Sequence, residues 1–355
     1  MNISRAAVLE KLGQPLVIKN IELPPLLPGQ ILVKVLFSGV CRSQLMEVRG
    51  KRGNDPWLPH LLGHEGSGIV LAIGEGVTKV KIDDEVILGW IKGEGLDAPG
   101  AKYRCGKQII NSGGVTTFCN YTIVSENRLV KKPIGLEFDT AVLFGCALPT
   151  GAGMVLNELK PSTNESVIVL GLGGIGLSAL MTLKALGVKS IIAIDISEEK
   201  LTLAKQLGAT HIFNSKHENL YQAIYNLTDG GADMCIESAG QVTTIELGFA
   251  LIHKNKGKLL FASHPSQDEL IQLSPHELIS GKKIAGSWGG STIPDKDIPL
   301  MHTLFLNTNI PLNILLTKRY SLEKINDALD DLEAGQVFRP LIVMEHPGNP
   351  VQKIC

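Results

Sequence analysis

The sequence predicts an α/β protein in two structural parts, one β-rich and the other a doubly wound parallel sheet. Three observations carry that expectation. The chain has 355 residues, more than one compact hydrophobic core ordinarily serves. Residues 1–130 show short apolar or alternating runs broken by Gly and Pro at turn spacing. From about residue 149 to 287 the pattern changes to buried strand, helix, buried strand.

Taken in order, the first part offers strands at residues 31–37, 68–73, 85–88 and 121–124. In the second part, "SVIVLG" leads into the helix "IGLSALMTLKALG", "SIIAID" into "SEEKLTLAKQLG", and "MCIES" into "VTTIELGFALI". Apolar strands joined by helices of this length make right-handed βαβ units and a parallel sheet. The tail predicts one more helix, "SLEKINDALDDLEAG", with Ser321 as its N-cap and Gly335 just past its end, and then a strand, "RPLIVM".

Composition narrows the function classes. With 44% hydrophobic and 19% charged residues the chain reads as an ordinary globular protein. A formal net charge of -1 gives no electrostatic case for nucleic acid or an anionic membrane. No apolar run has the length of a membrane span, and "MNISRAAVLEKLGQ" lacks a signal-peptide core, so the expected compartment is the cytoplasm. Six cysteines scattered over so long a chain do not make a disulfide framework. In a reducing compartment a special cysteine binds metal or does chemistry.

The stretch "VIVLGLGGIGLSAL" places Gly171, Gly173 and Gly176 directly after a strand and at the opening of a helix. The first glycine allows the tight turn, the second lets a pyrophosphate approach the backbone, and the third permits close helix–strand packing. The helix N-terminus presents unpaired N–H groups to the phosphates. Asp195 closes the next strand, about 20 residues on, where an acidic side chain accepts hydrogen bonds from a ribose 2′-OH and repels a 2′-phosphate. Asp195 could instead cap the helix "SEEKL", but Ser197 can do that work. The pattern points to a dinucleotide-binding Rossmann domain that takes NAD in preference to NADP.

Two thiols and an imidazole raise a second question. Cys41 follows the apolar run in "FSGVCRSQ", His64 and Glu65 open a strand in "LLGHEGSGIV", and Cys146 stands in "FGCALPTGAG" where the βαβ pattern begins. Two thiolates and one imidazole make a three-ligand zinc site whose fourth position is left for water or substrate. A Cys between apolar residues is equally a small core residue, and a single His is often only hydrogen-bonded. Spacing alone does not decide between them.

The whole set of motifs resembles the zinc-dependent alcohol dehydrogenases of the medium-chain dehydrogenase/reductase superfamily. The likeness runs through "GVCRSQ", "GHEGSGIV", "GCALPTGAG", "GLGGIG", "DISEEKLTLAKQLGAT" and "SLEKINDAL…GQVFRPLIVM". It implies a GroES-like catalytic domain over residues 1–147, completed by 288–355, with a six-stranded Rossmann domain over 148–287 between them. Cys41, His64 and Cys146 match the catalytic zinc ligands. Ser43 matches the hydroxyl that hydrogen-bonds the reacting alcohol oxygen, and Glu65 a carboxylate near the metal. Thr150 and Ile175 match residues lining the nicotinamide. Arg42 and Arg339 match arginines at the pyrophosphate, and Lys200 a lysine near the adenosine ribose.

The implied reaction is hydride transfer between an alcohol and NAD, with one catalytic zinc per chain. The implied assembly is a homodimer or homotetramer, paired through the edge strand "IAGSWGGS". Two other readings stand beside it: a zinc-free quinone or enone reductase of the same superfamily, and a non-catalytic protein that keeps the fold.

The sequence departs from the family at several positions. In "GWIKGEGLDAPGAKYRCGKQ" only Cys105 remains of the four cysteines that hold a structural zinc in many relatives, so that second zinc is expected to be absent. Cys119 lies outside the pattern and is expected in the core or at the surface. Gln44 replaces an Asp that orients the histidine ligand; its amide oxygen could accept the same bond without adding negative charge. Met46 replaces a histidine that ends a proton relay, which leaves Ser43, a ribose hydroxyl and water. Trp90 falls where relatives place an aromatic wall of the substrate pocket.

Overall fold

A computed structural model of the chain describes residues 3–266 and 268–346. The chain folds into two compact units. One comprises Met1–Cys146, Ile293–His302 and Pro311–Cys355, the other Ala147–Thr292 and Thr303–Ile310.

In the first unit the strands Ile3–Leu9, Val17–Glu22, Lys102–Cys105, Gln108–Asn111 and His60–Leu61 close into a barrel. Inward residues of alternating strands fill it, with Ala6, Val8, Ile21, Tyr103 and Ile110 all fully buried. Cys119 joins that core, and burial pushes its thiol up to about 12. A seven-stranded sheet carries Leu129–Lys131, Glu85–Leu88, Gly66–Ile73, Gln30–Gly39, Leu341–Val343 and Arg319–Ser321 in that order, with Tyr121–Ser125 paired to Gln30–Gly39. The apolar run expected at residues 31–37 is the centre of this sheet. Its strand ends at Gly39, and the helix Arg42–Val48 begins directly after Cys41.

The tail departs in one detail from the single helix expected to start at Ser321. Ser321 ends a strand paired in parallel with Val343, a 3-10 turn Leu322–Lys324 follows, and the α-helix covers Ile325–Glu333. Strand pairing holds the Ser321 backbone extended, and its side chain makes no capping bond. Gly335 ends the helix in the left-handed region with φ of 73°.

The segment expected to replace the cysteine-rich lobe is held by carboxylates. Glu126 is 1% exposed; its Oε1 accepts from Thr78 N (2.7 Å) and Lys79 N (2.8 Å), and its Oε2 from Leu96 N (2.7 Å). Burial would raise this carboxyl, yet those backbone donors and Lys79 hold it below its ordinary range. Asp295 accepts from Glu94 N at 2.7 Å and pairs with Lys79 at 2.5 Å. Cys105 lies at the end of Lys102–Cys105, opposite Gln108 in the hairpin that follows.

The second unit is a six-stranded parallel sheet in the order His211–Asn214, Ser190–Asp195, Ser166–Leu170, Met234–Glu237, Lys258–Phe261, Lys283–Gly286. Its first strand in the chain lies at the centre and the order reverses beside it, which is the doubly wound arrangement. Ile168, Ile192, Cys235, Phe249 and Leu259 form part of the core between sheet and helices. Ser197 caps the helix Glu198–Gln206 by accepting from Lys200 N. Among the described residues, no single helix is long and apolar enough to cross a membrane.

Candidate metal centre and nucleotide-binding turn

Three backbone turns of the first unit bring Cys41, His64 and Cys146 together. Cys41 sits between the strand Gln30–Gly39 and the helix Arg42–Val48, and Cys146 ends the 3-10 turn Val142–Gly145. His64 rides on the connection between His60–Leu61 and Gly66–Ile73. That connection needs glycine at residue 63, where φ is +88° and a Cβ would stand 2.4 Å from Thr117 Oγ1. The carbonyl of Glu65 accepts from Gly39 N (3.1 Å), Ser38 Oγ (3.2 Å) and Thr117 Oγ1 (3.1 Å), which fixes the chain on the far side of His64.

The three side chains meet with metal spacing. The two sulfurs are 3.9 Å apart and His64 Nε2 lies 3.3 Å from Cys146 Sγ. A tetrahedral ion with Zn–S of ~2.3 Å and Zn–N of ~2.0–2.1 Å separates its sulfurs by ~3.8 Å and sulfur from nitrogen by ~3.6 Å. The donor set and its dimensions therefore fit zinc. Ser43 Oγ is buried with no hydrogen-bond partner among the described residues, a polar atom suited to an incoming ligand.

Charge is arranged to keep one sulfur of the pair ionised: Cys41 is favoured as thiolate, while the same contact and burial push the Cys146 thiol up. The Cys146 contact, with Arg339 and His64 nearby, holds the Cys41 thiol well below its ordinary range. Behind the sulfurs Glu65 is fully buried and pairs with Arg339 Nη1 at 3.0 Å. The pair is a charge contact off the hydrogen-bond line, since neither Glu65 oxygen makes a directional hydrogen bond among the described residues. Burial pushes the Glu65 carboxyl up and Arg339 opposes it. Burial alone would lower the guanidinium, but Glu65, Cys41 and Cys146 overcome that and raise it.

One expectation changes and another gains a contact. The Gln44 oxygen, expected to accept from the histidine ligand, accepts from the backbone N–H of Gly63, so it steadies the loop that carries His64. Arg339, expected at a pyrophosphate, has its guanidinium against Glu65, and the residue is 4% exposed. The Glu65–Arg339 pair and the Ser38/Thr117 clamp had no signal in the sequence, because no local spacing links residues so far apart. Arg42 is exposed, and Trp90 donates its backbone N–H to Gly145 O at 3.3 Å, next to Cys146.

In the second unit the strand Ser166–Leu170 enters the Gly-rich turn and the helix Gly174–Ala185 leaves it. Gly171 has φ of +88°, and a Cβ on Gly176 would stand 1.9 Å from Gly171 O, so the turn closes only without side chains at these places. Gly173 precedes the helix without capping it by a side chain. The first N–H groups of the helix are thus left for a ligand. Asp195 Oδ2 accepts from Leu172 N at 2.6 Å and Oδ1 from Ser197 N at 3.0 Å. The carboxylate is therefore locked beside the turn, with oxygen lone pairs to spare. Ile175 is half-buried on the helix, Lys200 is half-buried, and Thr150 is buried in the helix Ala147–Gly153.

Comparison with known proteins identifies the family. Residues 27–134 match the alcohol dehydrogenase GroES-like domain, and residues 174–307 match the zinc-binding dehydrogenase family. The alcohol dehydrogenase class-P of Arabidopsis thaliana is 28% identical over 368 residues, covering 96% of this chain and 97% of that protein. Benzyl alcohol dehydrogenase from Acinetobacter calcoaceticus is 30% identical with a TM-score of 0.88, over 97% of this chain and 100% of that one. An alcohol dehydrogenase zinc-binding domain protein from Burkholderia ambifaria is 29% identical with a TM-score of 0.89, over 97% and 99%. With both halves matched and a relative covered end to end, the chain belongs to the zinc-binding alcohol dehydrogenases of the medium-chain dehydrogenase/reductase superfamily, oxidoreductases that pass a hydride between an alcohol and a nicotinamide cofactor.

Proposed function

We propose that this chain is an NAD-dependent alcohol dehydrogenase with one catalytic zinc, held by Cys41, His64 and Cys146. The triangle of two sulfurs 3.9 Å apart and an imidazole nitrogen 3.3 Å from one of them carries the reading. Residues 1–147 with 288–355 are assigned to catalysis and 148–287 to the cofactor, in a cytoplasmic homodimer or homotetramer. Zinc, when bound there, polarises the alcohol oxygen and lowers its pKa toward neutrality. The nicotinamide, when bound, accepts the hydride.

The chain's own residues do the rest. Cys41 and Cys146 supply negative sulfur, and the buried Arg339, which also pairs with Glu65, offsets part of that charge directly. Ser43 Oγ, buried without a hydrogen-bond partner among the described residues, would take the alcohol proton and relay it outward, since Met46 offers no relay. Ser43→Ala is expected to keep the metal while turnover falls by about two orders of magnitude or more. Metal analysis beside steady-state kinetics checks this; an unchanged kcat removes Ser43 from the proton path.

Asp195 supports NAD over NADP, because a 2′-phosphate would meet a carboxylate at hydrogen-bonding distance. Asp195→Ala should relax the preference by one to two orders of magnitude, roughly 1–3 kcal/mol. The same change frees Leu172 N, so a small loss of stability should accompany it. Comparable kcat/KM for both cofactors in the unmodified protein would overturn the assignment. The alcohol is sought with a panel of primary, secondary, polyol and sugar-like alcohols followed by NADH absorbance. Benzyl alcohol is included because a 30%-identical relative is a benzyl alcohol dehydrogenase.

A further inference from the structure

Glu237 is a fully buried carboxylate in the second unit, apart from the metal centre. It closes the strand Met234–Glu237, and the sheet register sets it beside Leu170, the last residue before Gly171. The strand order reverses between these two strands, and open α/β sheets bind ligands outside the strand ends at such a reversal. Its Oε1 collects three donors: Ala239 N at 2.8 Å, Gly240 N at 2.9 Å and Thr244 Oγ1 at 2.7 Å. Oε2 is buried with no hydrogen-bond partner among the described residues. Burial pushes the carboxyl up, and those three donors pull the other way.

The bonds to Oε1 shape the loop Ser238–Gly240, and that loop reaches the glycine turn. Ser238 N donates to Leu170 O at 2.8 Å, and Ser238 Oγ donates to Gly171 O at 2.6 Å. Ser263 Oγ, just past the strand Lys258–Phe261, donates to Ser238 O at 2.8 Å. The fit is close. A Cβ on Gly171 would stand 2.5 Å from Ala239 N, and one on Gly176 2.7 Å from Ser238 Oγ. The turn is thus bracketed by two acidic strand ends. Asp195 accepts from Leu172 N directly, whereas Glu237 acts through a loop that donates to Gly171 O.

We propose that Glu237 is a positioning residue for the nicotinamide cofactor, holding Ser238–Gly240 so that Ser238 fixes the carbonyl of Gly171 and with it the turn that receives the pyrophosphate. The inference rests on the assignment of the Gly-rich turn to the dinucleotide. A helix N-terminus offers its N–H groups in a set array only when the turn before it is fixed. A ligand that must order the turn for itself binds more weakly.

The test follows NADH binding by its fluorescence, and amide exchange by mass spectrometry in the full chain without cofactor. The N–H groups of Gly171 and Leu172 are bonded to Ile194 O and Asp195, so their exchange reports on the turn. Glu237→Ala is expected to weaken NADH by about tenfold or more and to speed exchange at these two amides by a similar factor. The strand Ser190–Asp195 should stay as protected as in the parent. Glu237→Gln keeps an oxygen acceptor and should bind NADH within about threefold of the parent. A role confined to stability would speed exchange in turn and strand alike and leave the folded fraction with parent affinity; that result overturns the proposal. Should Glu237→Ala not fold, Ser238→Ala decides at a half-buried position: NADH weaker by about threefold or more supports the proposal, and parent affinity overturns it. If the parent binds neither NADH nor NADPH, the dinucleotide assignment fails and takes this inference with it. A parent that binds, beside a Glu237→Ala that binds equally well, sinks this inference alone.

Discussion

Replacing Cys41 with serine is expected to strip the catalytic zinc and to lower kcat/KM by about three orders of magnitude, or about 4 kcal/mol. The size follows from what the sulfur does. Cys41 is the thiol that its surroundings ionise most readily, and the Cys146 contact that lowers it raises its partner. A serine hydroxyl stays protonated at neutral pH and is a poor neutral ligand, so the remaining thiol and imidazole would hold the ion with two strong donors instead of three. Without the metal the alcohol keeps its proton and the hydride is not released. A thiol that only fills space would behave otherwise: its serine variant would lose some stability and keep both zinc and turnover. Zinc content by mass spectrometry, read beside initial rates, separates the two, and a variant with full zinc and full rate refutes the ligand assignment.

Arg339→Ala is expected to destabilise the first unit by about 3–5 kcal/mol, because it leaves a buried carboxylate without its counter-charge. Glu65 is 0% exposed, and among the described residues its side chain has no directional hydrogen bond to fall back on. Removing the guanidinium also withdraws the cation that favours the Cys41 thiolate, so zinc affinity should fall with stability. Calorimetry should show the first unit melting about 5–15 °C lower. The double variant Glu65→Gln/Arg339→Met should recover most of the loss, since it removes both charges together. A single variant as stable as the parent would show that Glu65 is not charged behind the sulfurs.

These two positions also mark how far the sequence could be read. The Gly-rich turn was legible because its constraints are local: Gly171, Gly173, Gly176 and Asp195 sit on consecutive strand and helix ends, and each role follows from backbone geometry at one turn. The zinc ligands were legible only through resemblance, since Cys41, His64 and Cys146 come from three separate turns and no spacing joins them. Second-layer contacts were not legible. Gln44 was expected to serve the imidazole, yet a side chain one methylene longer than Asp reaches the Gly63 N–H instead. Arg339 pairs with Glu65 because the strand Leu341–Val343 lies antiparallel to residues 37–39, a register that no local pattern announces.

The place of Arg339 in the chain has a consequence for biosynthesis. A ribosome releases the N-terminal part first, and domains generally fold as they emerge. Cys41, His64, Cys146 and Glu65 all belong to the opening segment Met1–Cys146, whereas Arg339 arrives only with the final segment, after the whole second unit has been made. During that interval Glu65 has no cation to meet, and the nascent chain can keep it hydrated or protonated but cannot bury it charged. The metal centre thus has its three ligands early and its counter-ion last, so a chain truncated before Arg339 would carry the ligands yet fail to close the pocket around them.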